Sequence, residues 1–135
     1  MTISQYITDF LKKYENIEID TNHVADGSDK YGMFKSPARD VRNNIDESYQ
    51  ITEYFNFFAK QSAIAESERK ESDEWLEDFM YWLDDYPFNY EYPKIDGNRR
   101  ILGIQATGCP TPMFDDDNDI TYQISMSITY EREVM

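Results

Sequence analysis

An imidazole can exchange a proton near neutral pH, and this chain carries one, His23, three residues ahead of Asp26. A general base also needs a partner to orient it and a pocket that holds substrate. Asp26 is followed by Gly27, and an Asp-Gly pair is turn chemistry, so no catalytic role is assigned to His23. Asp115, Asp116, Asp117 and Asp119 form a second cluster. Carboxylates gathered on a loop suit a hard cation such as Ca²⁺, but the central glycine and distal glutamate of an EF-hand do not fall in register. A solvated loop tip is expected instead. Cys109 lies between Gly108 and Pro110 with no second thiol and no histidine nearby. It therefore makes neither a Cys/His zinc site nor an activated nucleophile. No glycine-rich phosphate loop is present. The expectation is a protein with no metal, no cofactor and no catalytic residues.

What remains is shape, charge and surface. At 135 residues the chain reads as one domain, 1–135, able to bury a single core. The net charge is −14, and Arg69-Lys70, Lys94 and Arg99-Arg100 are scattered among acids. No basic stripe forms, so generic nucleic-acid binding, which relies on cations at phosphates, is not expected. A single cysteine excludes an internal disulfide and points to a reducing compartment. No basic segment followed by an apolar run opens the chain, and no stretch nears the ~20 apolar residues of a membrane span. No membrane partner is expected. Eleven tyrosines against eight phenylalanines supply amphipathic area at a surface as well as a core.

The elements follow from periodicity. Ile3, Tyr6, Ile7, Phe10, Leu11 and Tyr14 recur at helical spacing over residues 3–14, with Thr2 as N-cap. Strands are expected over 17–24 and 30–36, joined by a turn at 25–29, with Pro37 interrupting the second. Residues 49–58 form a longer strand, with Tyr49, Ile51, Glu53, Phe55 and Phe57 on one face. Residues 66–85 form a second helix whose stripe of Trp75, Leu76, Phe79, Met80, Trp82 and Leu83 opposes a row of acids. Asp96-Gly97 turns into a strand over 99–107, and 108–119 reads as a loop. The clearest element is last. From Ile120 to Tyr130 apolar and small polar residues alternate without a slip, the period of a half-buried strand. Its outer face, Thr121, Gln123, Ser125, Ser127 and Thr129, is uncharged and rich in hydroxyls. The fold class predicted is α/β in the α+β sense. One antiparallel-dominated sheet of four to five strands carries two helices on one face, and Trp75, Phe79, Trp82 and Leu83 pack on Ile124, Met126 and Ile128.

Four stretches together carry a resemblance: residues 1–7 (MTISQYI), 67–77 (SERKESDEWLE), 107–113 (TGCPTPM) and 122–130 (YQISMSITY). They resemble small proteins from the structural gene clusters of tailed phages and prophages of Gram-positive bacteria, labelled minor capsid or tail proteins. Some members carry a chloramphenicol-resistance label. The segment at His23 is similar to the His-x-x-x-Asp-Gly motif of chloramphenicol acetyltransferases, one residue short, in a chain far smaller than those enzymes. Within phage tails the order of elements is similar to that of tail terminators. The resemblance implies a homohexameric ring that caps the tail tube and meets the head-tail connector or sheath proteins. DNA would pass through its lumen without specific binding. The resemblance further implies that the particle is an infectious phage or a phage-tail-like bacteriocin, built in the host cytoplasm. Contact residues expected on that reading are Lys30, Lys35 and Arg39 on one arm, Asp115 and Asp117 on the loop, and Thr121, Gln123, Ser125 and Ser127 on the closing strand. A small acidic inhibitor or DNA mimic encoded by a mobile element is the competing class.

Overall fold

The computed structural model describes residues 1–21, 30–62, 66–85, 94–115 and 119–133. Helix α1, Ile3–Leu11, starts where Thr2 Oγ1 accepts a hydrogen bond from the Gln5 N–H at 3.0 Å, the expected cap. It stops three residues earlier than the apolar spacing predicts. Glu15 and Asn16 adopt left-handed φ values of 53° and 54°, a conformation that ends helices. Tyr14 nevertheless packs into the core from beyond the helix end. Helix α2, Glu66–Asp85, spans the expected residues.

Seven strands follow the order β1 (Ile19–Thr21), β2 (Lys30–Asn43), β3 (Tyr49–Ser62), β4 (Lys94–Ile95), β5 (Arg99–Ala106), β6 (Thr111–Asp115) and β7 (Asp119–Arg132). They form one curled, half-barrel sheet of order β1-β2-β3-β7-β5-β4, with β6 pairing β7 beside β5. This corrects the sequence expectation of four to five antiparallel strands. The sheet is mixed, because β1 runs parallel to β2. It is also larger, for three local reasons. Pro37 does not stop β2. The strand bulges between Lys35 and Arg39 and resumes its pairing with β3, since a bulge accommodates a residue that has no N–H. The segment 108–119 contains β6, whose Pro112 lies opposite Tyr122. Lys94–Ile95 adds a short strand before the turn at Asp96-Gly97-Asn98, where Gly97 and Asn98 take φ of 75° and 57°.

The long β3–β7 pair is the spine, in unbroken register from Tyr49↔Arg132 to Ser62↔Asp119. On its core face Ile51, Phe55, Phe57 and Ala59 meet Tyr130, Met126, Ile124 and Tyr122, all buried. Helix α2 lies over this face, buried along Ser72, Leu76, Phe79 and Leu83, a helical stripe. The contact differs in detail from the expected one. Phe79 stacks on Phe57 of β3 with centroids 4.9 Å apart, and α2 rests chiefly on β5 and β3. Trp75 and Trp82 are half-buried flanks. Trp82 stacks on Phe10 of α1 at 5.2 Å, and Trp75 stacks on Tyr31 of β2 at 5.2 Å. Among the described residues no buried side-chain nitrogen or oxygen lacks a hydrogen-bond partner.

Candidate assembly interface

The bulge in β2 sets the first cluster. Ser36, Pro37 and Ala38 loop out opposite Tyr54, so Lys35 and Arg39 both return to the core face, paired with Phe55 and Glu53. Glu53 is only 5% exposed. Lys35 Nζ lies 2.8 Å from its Oε1, and the Tyr130 hydroxyl donates to its Oε2 at 2.7 Å. Burial penalises the Glu53 carboxylate, but hydrogen bonds from Lys35 and Tyr130 and the charges of Lys35 and Arg39 outweigh it. Its pKa falls below the ordinary glutamate value. Burial and the bond to Glu53 push Tyr130 up to about 12. Two expected contact residues are thus brought together around a carboxylate that was not singled out. The available signal was an acid alone on a strand face of Tyr49, Ile51, Phe55 and Phe57.

Lys30 opens β2, exposed and opposite Lys60, away from this cluster. The hydroxyl face of β7 forms a polar seam with β3 on the side of the sheet opposite the Phe57 core. Asn56 Oδ1 accepts from Gln123 Nε2 at 2.8 Å and from Ser125 Oγ at 3.2 Å, and Thr52 and Thr129 hydroxyls lie 3.1 Å apart. Thr121 and Ser127 are 8% and 3% exposed, so their side chains sit within the sheet surface and leave Gln123, Ser125 and Thr129 half-exposed. Tyr54 donates to Asp40 at 2.6 Å, and Phe34 meets Phe58 edge-on at 5.1 Å. Asp115 closes β6 opposite Ile120, and Asp119 opens β7. Asp116, Asp117 and His23 lie outside the described residues, as do the turn expected at 25–29 and residues 22–24 of the first expected strand. Among the described residues no group of three or more His, Cys, Asp or Glu side chains is placed to hold a metal ion.

Apolar exposure is concentrated elsewhere. The outer half of β2, Arg39 to Asn43, is exposed along its length. Val41 is 48% exposed and Ile45, in the turn between β2 and β3, is fully exposed. That turn is tied. Asn44 N–H donates to Ser48 O at 2.8 Å, and Ser48 N–H and Oγ donate to Asp46 Oδ1 at 3.1 and 2.6 Å. Ile45 is therefore displayed by a hydrogen-bonded turn. The signal missed in the sequence was an isoleucine between Asn44 and Asp46, where a loop tip is ordinarily polar. On α2 the exposed side carries Tyr81, 55% exposed, whose hydroxyl donates to Glu77 at 2.7 Å. A scan against protein-family models finds no match, and no curated protein matches the chain.

Proposed function

We propose that this chain is a virion structural protein, a ring-forming tail terminator that caps the tail tube of a tailed phage or a phage-tail-like bacteriocin. One observation carries the reading furthest. Val41 and Ile45 stand in water at the same end of the sheet, on a strand edge and a tied turn. Such a surface fits a protein partner. The resemblance carried by the four sequence stretches described above supports the assignment to a phage-type tail. The charge of −14 supports a lumen that repels phosphates and lets DNA pass without capture. Among the polar seam residues, Gln123, Ser125 and Thr129 offer adaptable hydrogen bonding to a neighbour.

The acidic inhibitor remains the second reading, favoured by the exposed acids Glu71, Glu74, Glu77 and Asp78 along α2. Co-sedimentation with tail tubes built from the tube protein of the same gene cluster separates the two. A terminator pellets with tubes in an amount set by the number of tube ends. An inhibitor stays in the supernatant and binds a basic DNA-binding protein instead.

A further inference from the structure

Along the outer half of β2 the sheet ends in an open edge. Strand β1 pairs only Tyr31–Met33, and among the described residues no strand pairs the outer edge of Arg39–Asn43. These residues are exposed, and they run without a bulge against Glu53 to Tyr49 of β3. An open edge is a template for another strand. Its backbone phase follows from the turn. Asn44 N–H donates to Ser48 O at 2.8 Å, so Arg42 and Asp40, at steps of two, also direct their backbone groups to β3. Those of Arg39, Val41 and Asn43 point to the open side.

Side chains alternate along the same edge. Asp40 and Arg42 lie on the outer face, in line with Thr52 and Gln50. Val41 lies on the core face and ends the row of Tyr130 and Ile51. Those two are buried, whereas Val41 is 48% exposed. A second copy, turned about a two-fold axis perpendicular to the sheet at Val41, matches this edge residue by residue. Val41 meets Val41, Arg39 faces Asn43, and each Asp40 faces the other copy's Arg42. The outward backbone groups coincide. Asp40 and Arg42 then fall at non-hydrogen-bonded positions, where Cα atoms approach to about 4.5 Å and side chains are closest. A shift of two residues either way sets Asp40 against Asp40 or Arg42 against Arg42. A shift of one sets outward backbone groups against inward ones.

We infer that two copies of this chain pair along the β2 edge, antiparallel and centred on Val41, and continue one sheet across both. Opposite charges directly across a strand pair stabilise it, and like charges destabilise it. Asp40 accepts from Tyr54 through Oδ2, which leaves Oδ1 to the partner's Arg42. This end of the hairpin is net acidic, with Asp40, Asp46 and Glu47 against Arg39 and Arg42. The copies are therefore held by register and not by net charge. Charged residues and a bulge ordinarily guard an edge; here the charges admit a second copy in one register. The contact is short, so the dimer depends on concentration. It is independent of the ring-forming reading, because a two-fold contact pairs copies and a ring needs head-to-tail contacts.

The test uses the full chain without tail tubes. Sedimentation equilibrium is expected to show monomers passing to dimers as concentration rises. Amide exchange at Val41 and Asn43 should slow over the same range, while Asp40 and Arg42, already bonded to β3, stay unchanged. Asp40→Arg and Arg42→Asp each set like charges opposite one another, and each alone is expected to dimerise roughly tenfold or more weakly. Mixed one to one, these two variants regain both opposite-charge pairs and form heterodimers about as strong as the wild-type dimer. Val41→Pro removes an outward N–H and should also abolish pairing. Tyr81→Asp, on α2 and off the edge, should leave dimerisation unchanged. Circular dichroism and melting curves establish that each variant folds. If one does not, the wild-type exchange pattern decides, and exchange at Val41 and Asn43 that ignores concentration overturns the inference. A wild type that stays monomeric overturns it too, as does association undiminished in the three edge variants. Tube capping is read separately by co-sedimentation, so the terminator reading stands or falls without this dimer.

Discussion

Phe79 is the residue on which the helix layer depends. Its ring is fully buried. It stacks on Phe57 at 4.9 Å and on Trp75 at 5.6 Å, and it meets Tyr14 edge-on at 5.1 Å. Phe79→Ala removes a large buried side chain and leaves a cavity, a change that costs about 3–5 kcal/mol. Four aromatic neighbours, Trp82 among them, each lose a contact worth about 0.5–1.5 kcal/mol. Those losses are shared with the burial term, so the upper part of the first range is expected, about 4–5 kcal/mol. A chain of this length has a total stability of roughly 7–20 kcal/mol. The variant should therefore fold, with a midpoint lowered by roughly 10–20 °C. Urea denaturation read by far-UV circular dichroism gives the free energy, and near-UV dichroism reports the Trp75 and Trp82 surroundings. Phe79→Leu should cost less, since it refills part of the cavity. A cost below about 1 kcal/mol for Phe79→Ala would mean that the site is not closed as described.

Glu53→Gln keeps the shape but removes the charge that Lys35 and Tyr130 meet, and should cost about 1–3 kcal/mol in urea melts. The folded pKa of Glu53 lies below its ordinary 4.5. Its contribution is therefore present above that value and is lost as pH falls through the folded pKa. Acid titration of stability should be shallower in Glu53→Gln than in wild type; equal slopes would count against the buried cluster. In alkali the sign reverses. Tyr130 and Tyr14 are raised from 10.0 to about 12, so the stability they hold is present below pH 10 and is lost as pH rises toward 12. Tyr130→Phe should lessen that loss without abolishing it. Gly97 has φ 75°, and a Cβ there would stand 3.3 Å from Arg99 Nε, so Gly97→Ala should cost about 1–2 kcal/mol. Dialysis against a chelator should leave the melting temperature unchanged, whereas a drop reversed by Ca²⁺ would make the 115–119 acids a cation site.

The sequence made some of this legible because local chemistry agreed with the fold. Thr2 caps α1, the 66–85 stripe forms α2, and the alternation of 120–130 is the buried centre of β7. It misled where tertiary context overrode a local signal. Pro37 reads as a strand breaker, yet it occupies a bulge on the outer part of β2, where a missing N–H costs little. Pro110 and Pro112 disguise β6, which is held by pairing with β7. Parallel pairing of β1 with β2 has no local signature at all. The candidate surface was legible in composition and not in position. Lys35 and Arg39 were expected on one arm as contacts to another subunit, and the bulge places both beside Glu53 of the same chain. Val41 and Tyr81 stand out only once burial is known, since an exposed apolar residue in a strand or helix looks like any other in the sequence, whereas Ile45 carried a signal in its polar neighbours Asn44 and Asp46.

The central claim is a ring at the end of a tube, and electron microscopy of the protein mixed with tail tubes tests it most directly. The account predicts a ring of density at one end of each tube, averaging to six copies of this chain, with tube lengthening halted once the ring is in place. Bare tube ends, together with a subunit that stays monomeric at high concentration and high salt, would contradict it.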